Sequence, residues 1–257
     1  MKFLILLFGL IATAAYSDTT EMPGSLRIEV LPGEFADLVW DDNKATLSGP
    51  MGEPVEFYAD DLGSHLPTYP IIRHDIDRDG VEEIGVPTDY VYGGVNVVYT
   101  FFFWRGDAWE YVANLSDPSF HEDHPGLTTG ATVGMSWLAE RWDVGPDGKL
   151  FLHSSHRPSF LDFIIRSVTE YGTDTPIVTV VSEDTGLFDP AEPVMGAVLD
   201  DGLSLWSDPE GKQTIAKLSA ETEFVLQDYD PQTGYVYVRA ADGRSGWADP
   251  TQFYVLE

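Results

Sequence analysis

The chain contains no cysteine, few cations and, beyond its first dozen residues, no long hydrophobic run. Without cysteine there is no disulfide framework, zinc–thiolate centre, thiol nucleophile or lipid-modified cysteine anchor. Only 14 Lys and Arg face 43 Asp and Glu, a formal charge of −29. Phosphate backbones need clustered cations, so a nucleic-acid-binding role is excluded. No later stretch approaches the ~20 apolar residues of a membrane-spanning helix. The sequence spells neither Gly-x-Ser-x-Gly nor His-Glu-x-x-His, the two commonest hydrolase signatures. With 43 acids, some carboxylate pair will fall at glycosidase spacing by chance, so that spacing carries no information.

What is present suffices for a folded core: 43% of residues are hydrophobic and 13% aromatic, which excludes global disorder. The N-terminus, Met1-Lys2 followed by the apolar run Phe3 to Ala12 and the small-residue exit Ala15-Tyr16-Ser17, has the pattern of a signal peptide. Cleavage before Asp18 and export are expected, and an exported chain without cysteine suits the bacterial periplasm or cell surface. The acidity has two readings, electrostatic steering towards a basic partner or solvation in a salty habitat.

The remainder predicts an all-β, mainly antiparallel protein. Leu26-Arg27-Ile28-Glu29-Val30-Leu31 and Val55-Glu56-Phe57-Tyr58 alternate as half-buried strands do. Val95 to Trp104 is a β-branched and aromatic run, broken by Arg105-Gly106-Asp107 and resumed at Ala108-Trp109-Glu110-Tyr111-Val112, which predicts a hairpin. The break also spells the tripeptide that integrins recognise, so a surface adhesion or structural protein is one reading. In a tight turn, turn chemistry by itself is the better account of the tripeptide. Ser159 to Arg166 reads as a short helix or a strand. Residues 182–195, rich in acids and Pro, read as a linker. His121-Glu122-Asp123-His124 and His153-Ser154-Ser155-His156 lack the i, i+4 spacing of a helical zinc site and read as polar loop residues.

The sharpest chemistry lies in His74-Asp75-Ile76-Asp77-Arg78-Asp79-Gly80-Val81-Glu82-Glu83-Ile84. Carboxylates at Asp75, Asp77 and Asp79 alternate, Gly80 permits a sharp bend, and Glu83 follows. Calcium takes six to eight oxygens, and a looping chain with every second side chain turned inward supplies them, with the Val81 carbonyl as backbone ligand. The twelfth position from Asp75 is Val86, where a helix–loop–helix calcium site needs a bidentate Glu, and the flanks are strand-like. The loop instead resembles the calcium-binding hairpins of integrin-alpha-like (FG-GAP) repeat proteins. That resemblance implies Asp75, Asp77, Asp79, Val81 and Glu83 as metal ligands and calcium as the cofactor. A degenerate echo, Trp142-Asp143-Val144-Gly145-Pro146-Asp147-Gly148, lacks the middle carboxylate.

Residues 25–125, with one Asp-rich loop, the Gly-containing loop Tyr90 to Asn96, an aromatic hairpin and Asn114-Leu115-Ser116, also resemble periplasmic calcium-binding inhibitors of peptidoglycan hydrolases. These act as immunity factors against lysozyme-like effectors by inserting a loop into the hydrolase cleft. The resemblance nominates Tyr90 and Tyr92 for that loop; packing against a hairpin is the alternative role for both.

Residues 196–257 resemble bacterial SH3-like domains, small β-barrels of exported and wall-associated proteins. The matching pieces are Leu203 to Pro209, Ile215 to Leu226, Tyr235 to Arg239 and Asp242-Gly243-Arg244-Ser245-Gly246-Trp247-Ala248. The family's Asn-x-Arg-Ser-Gly-Pro segment is replaced by Ser204 to Pro209, so its ligand mode does not transfer. Trp206, Tyr229, Tyr237 and Trp247 are the candidate contacts for a wall sugar or peptide, with core packing as the other reading of Trp247.

The expected organisation is a signal peptide (1–17), a calcium-loop β domain, propeller-like or sandwich (18–181), a linker (182–195) and an SH3-like barrel (196–257). The expected function is that of an exported, non-enzymatic calcium-binding protein that inhibits, or protects against, a basic lysozyme-type peptidoglycan hydrolase. The rival expectation is a wall-targeted hydrolase or accessory enzyme.

Overall fold

A computed structural model describes residues 24–256 except 42, 60–61, 63–65, 67, 92–95, 134–135 and 160–162. The segment expected to be a signal peptide (1–17) and Tyr92 lie outside the described residues. The chain is all-β and its strand pairings are antiparallel.

Among the described residues four sheets follow one another along the chain. The first is a meander of β1 (Gly24–Leu31), β2 (Glu34–Trp40), β3 (Lys44–Ser48) and β4 (Val55–Tyr58). The second is a meander of β5 (Ile72–His74), β6 (Glu83–Val91), β7 (Asn96–Trp104) and β8 (Trp109–Ser116). The third runs through β9 (Ser119–Phe120), β10 (Leu127–Val133), β11 (Ser136–Val144), β12 (Leu150–Pro158), β13 (Phe163–Val168) and β14 (Ile177–Ser182). The fourth is built from β15 (Met195–Val198), β16 (Leu203–Trp206), β17 (Thr214–Leu218), β18 (Glu223–Tyr229), β19 (Val236–Ala240), β20 (Ser245–Ala248) and β21 (Phe253–Val255). Its spatial order is β17-β16-β20-β19-β18-β15-β21.

Burial follows the strand period. In the first sheet Ile28, Val30, Ala36, Leu38, Ala45 and Leu47 all turn inward while the intervening residues are more open to solvent. They pack on Ile84, Val86, Phe102 and Trp104 of the second sheet. The other face of β7, Val97, Tyr99, Phe101 and Phe103, packs with Leu127 and the half-buried Phe120, Trp142 and Leu150 of the third sheet. A strand covered on both faces has no place for alternation, which is why β7 reads as a continuous apolar run. Phe101, Phe102 and Phe103 are fully buried, and each contributes roughly 1.5–3 kcal/mol by leaving water. The third sheet in turn gives Ile165 and Val180 to the core of the fourth.

Two expectations are corrected here, the His153 to His156 loop and the carboxy-terminal barrel, and the conformations of two further stretches are found. His153 to His156 do not form a loop: they lie in β12, where Ser154 and His156 share a face and are both buried. The undecided stretch resolves as strand from Phe163, with Ile164 and Ile165 buried on opposite faces; residues 160–162 lie outside the described set. In the carboxy-terminal sheet the outer strands β17 and β21 are not paired with each other among the described residues, so it is not a closed barrel. Residues 183–194 form a loop held against the third sheet. Arg166 donates to the carbonyls of Asp189 and Leu187, and the Val194 N–H donates to Val180. Among the described residues no helix is long and apolar enough to cross a membrane.

Candidate metal centre

The Asp-rich segment is the connection of the β5–β6 hairpin, closed by the register pair His74↔Glu83. Ile76 anchors it: the residue is 1% exposed in the core between the second and third sheets, and its carbonyl accepts from the Gly126 N–H at 3.0 Å. Arg78 ties it to the Glu122 carbonyl in the β9–β10 loop. The chain turns through left-handed conformations at Arg78 (φ 63°) and Gly80 (φ 91°), and glycine relieves the second of these. Three Asx-type bonds brace the turn: Asp79 N–H to Asp77 Oδ1, Gly80 N–H to Asp75 Oδ2, and Val81 N–H to Asp79 Oδ1.

These constraints bring Asp75, Asp77 and Glu83 together, with one carboxylate oxygen from each lying within 4.8 Å of the others. Oxygens around a single cation at ~2.3–2.6 Å are spaced no farther apart than about this. Among the described residues no other set of three His, Asp or Glu side chains converges this way. Asp79 is exposed and lies outside the group, its Oδ1 occupied by Val81 N–H. Val81 packs against the core between the first and second sheets.

The electrostatics are unusual for a turn. Glu83 is 1% exposed, and Oε2 accepts the Ile76 N–H at 2.5 Å. Burial, reinforced by the negative charges of Asp77, Asp79 and Asp75, pushes its carboxyl up to about 8. Burial also raises Asp77, against the opposing pull of its bond from Asp79 and of Arg105. Asp75 Oδ1 is buried with no hydrogen-bond partner, a state that buried oxygens rarely keep.

Sequence reasoning missed Arg105. It sits at the β7–β8 turn, with Nη1 3.5 Å from Asp77 Oδ2, Nε 2.9 Å from Glu110 and Nη2 3.1 Å from the Gly148 carbonyl. The degenerate echo around Asp147-Gly148 therefore abuts the Asp-rich loop. The guanidinium of Arg105-Gly106-Asp107 is engaged within the protein.

The other nominated residues fall apart into separate places. Tyr90 is on β6 and 46% exposed. Trp206, Trp247 and Tyr237 are register neighbours across β16, β20 and β19, forming a half-buried aromatic row. Tyr235 stands edge-on to Trp206, and the Tyr237 hydroxyl donates to Ser245. Tyr229 instead packs against the carboxy-terminal core. His121 and His124 both contact the Phe188 ring, and His153 Nδ1 is 3.7 Å from Asp143.

Comparison with protein-family models, curated proteins and solved structures finds no match to this chain.

Proposed function

We propose that the β5–β6 loop binds a calcium ion through Asp75, Asp77 and Glu83, with Asp79 and the Val81 carbonyl turning in to complete the oxygen shell. The supporting observation is the convergence of three carboxylates around a Glu that is almost wholly buried beside the unpartnered Asp75 Oδ1. A divalent ion would offset the repulsion and desolvation that raise the Glu83 carboxyl, and only oxygen donors are present, which favours a hard cation. The role is structural: the loop joins two strands whose neighbours fill two core clusters, so a bound ion stiffens the contact between the second and third sheets.

On this reading the protein is an exported, non-enzymatic binding protein with an SH3-like module. Its partner class is a basic lysozyme-type peptidoglycan hydrolase, which it inhibits or protects against. The charge of −29 favours encounter with a cationic partner. The half-buried row Trp206, Tyr237 and Trp247 offers ring faces for a wall sugar or peptide. The test is a turbidity assay of cell-wall lysis by lysozyme with the purified chain added, in calcium and in chelator. Inhibition that weakens in chelator supports the reading. Lysis by the chain itself would support the rival wall-hydrolase reading.

A further inference from the structure

The face of the second sheet that packs on the first changes character along its length. Near β5 it presents Ile84, Val86, Phe102 and Trp104, all buried under the first sheet. Farther along it presents Thr88, Val98, Thr100 and Asn114, and there, among the described residues, the first sheet contributes Phe57 and Tyr58 of β4. Among the described residues these line a groove with Asp89 and Tyr111.

The groove floor is a hydrogen-bonded polar row. Thr88 and Thr100, both nearly buried, share a 2.8 Å hydroxyl–hydroxyl bond, and Thr100 Oγ1 donates to Asn114 Oδ1 at 2.9 Å. That bond fixes the amide orientation, so the exposed Asn114 offers its NH2 outward as a donor. A register shift between Pro87 and Asp89 lets the consecutive residues Thr88 and Asp89 both reach the groove. Asp89 Oδ1 accepts the Tyr90 N–H at 2.7 Å, which leaves Oδ2 as an acceptor. Tyr58 and Tyr111 flank this donor and acceptor at 63% and 51% exposure, unusually open for large aromatic rings. Tyr111 is braced edge-on against Phe102, and Phe57 packs on the same ring.

We propose that this groove is a binding site for a neutral pyranoside glycan. A sugar ring presents an apolar C–H face bordered by hydroxyls, each of which donates and accepts. Aromatic rings match the face, and an amide beside a carboxylate matches a pair of neighbouring hydroxyls. An apolar ligand would leave the threonine and asparagine floor unmatched. An anionic ligand meets Asp89 and a chain of net charge −29. The site is separate from the metal loop and stands whether or not that loop binds an ion.

The test is saturation-transfer difference NMR on the full chain with chitotetraose, cellotetraose and maltotetraose, and with a neutral tetrapeptide as the alternative ligand. Transfer to at least one glycan is expected. Tyr58→Ala and Tyr111→Ala should each weaken it about tenfold, as loss of a stacking face does. Tyr111→Phe should retain it. Tyr254→Ala, an exposed tyrosine of the fourth sheet, should leave it unchanged. Because Tyr58 projects into solvent, its variant keeps the fold and decides the matter even where Tyr111→Ala does not fold. No transfer to any of the three glycans, undiminished transfer in Tyr58→Ala, or binding of the tetrapeptide alone would overturn the proposal.

Discussion

His156 is the group whose titration the fold constrains most plainly outside the Asp-rich loop. It lies on β12 at 3% exposure, faces Arg166 on β13 in register, and its Nε2 has no hydrogen-bond partner. The other charges nearby are the Arg141–Asp143 pair on β11, His153 beside Asp143, and Asp189 in the loop that covers Arg166. Burial, and then the Arg166 charge, lower its pKa from 6.5 to about 4. A base with a depressed folded pKa stabilises the fold above its unfolded pKa, and that stability is lost as pH falls through 6.5 towards 4. The loss from this group alone is about 2 kcal/mol by pH 5 and about 3 kcal/mol by pH 4. His156→Leu removes both the titration and the unpaired nitrogen at similar volume. Urea unfolding of wild type and variant, in chelator at pH 7.5 and pH 5, separates the His156 contribution from that of the groups common to both proteins. The variant should gain about 2 kcal/mol relative to wild type on going to the lower pH. An equal difference at both values would refute the argument that His156 is held neutral by burial.

Three further expectations concern the site and its supports. Asp77→Ala should lower the melting temperature chiefly in calcium, by several degrees for a loss of a few kcal/mol of linked binding energy; differential scanning calorimetry in calcium and in chelator checks this. Arg105→Leu removes the cation beside Asp77 and should cost about 1 kcal/mol in chelator, as partly exposed pairs do, and less in calcium; paired denaturant titrations measure it. Gly126→Ala meets both a φ of 105° and the Trp142 carbonyl oxygen 2.1 Å from the new Cβ. It should therefore destabilise by more than about 2 kcal/mol in either condition, as urea unfolding would show.

The legible parts were those in which one physical signal acts alone. Ile28 and Val30 alternate with exposed neighbours because only one face of β1 is covered, and the reading follows directly. The run through Phe101, Phe102 and Phe103 was recognisable as strand, yet its burial between two sheets shows only in the packing. The carboxylate spacing of the Asp-rich loop was visible, but that Asp75, Asp77 and Glu83 converge while the exposed Asp79 stands apart shows only in the folded turn. Arg105 and Gly148 reach the loop from sequence distances of 28 and 71 residues beyond Asp77, which no local pattern encodes. His153 to His156 looked like a loop because their side chains are polar. The strand pairing with β11 and β13 buries Ser154 and His156 all the same, which the polarity of the side chains does not reveal.

The central claim is that a single divalent ion is held by the carboxylates between β5 and β6. Isothermal titration of calcium into the chelator-stripped protein tests it most directly, with Glu83→Gln as the paired variant that keeps an acceptor for the Ile76 N–H. The account predicts one saturable site per chain, accompanied by proton release from Glu83 and absent in the variant. A wild-type titration with no heat beyond dilution, or an unchanged isotherm in Glu83→Gln, would contradict it.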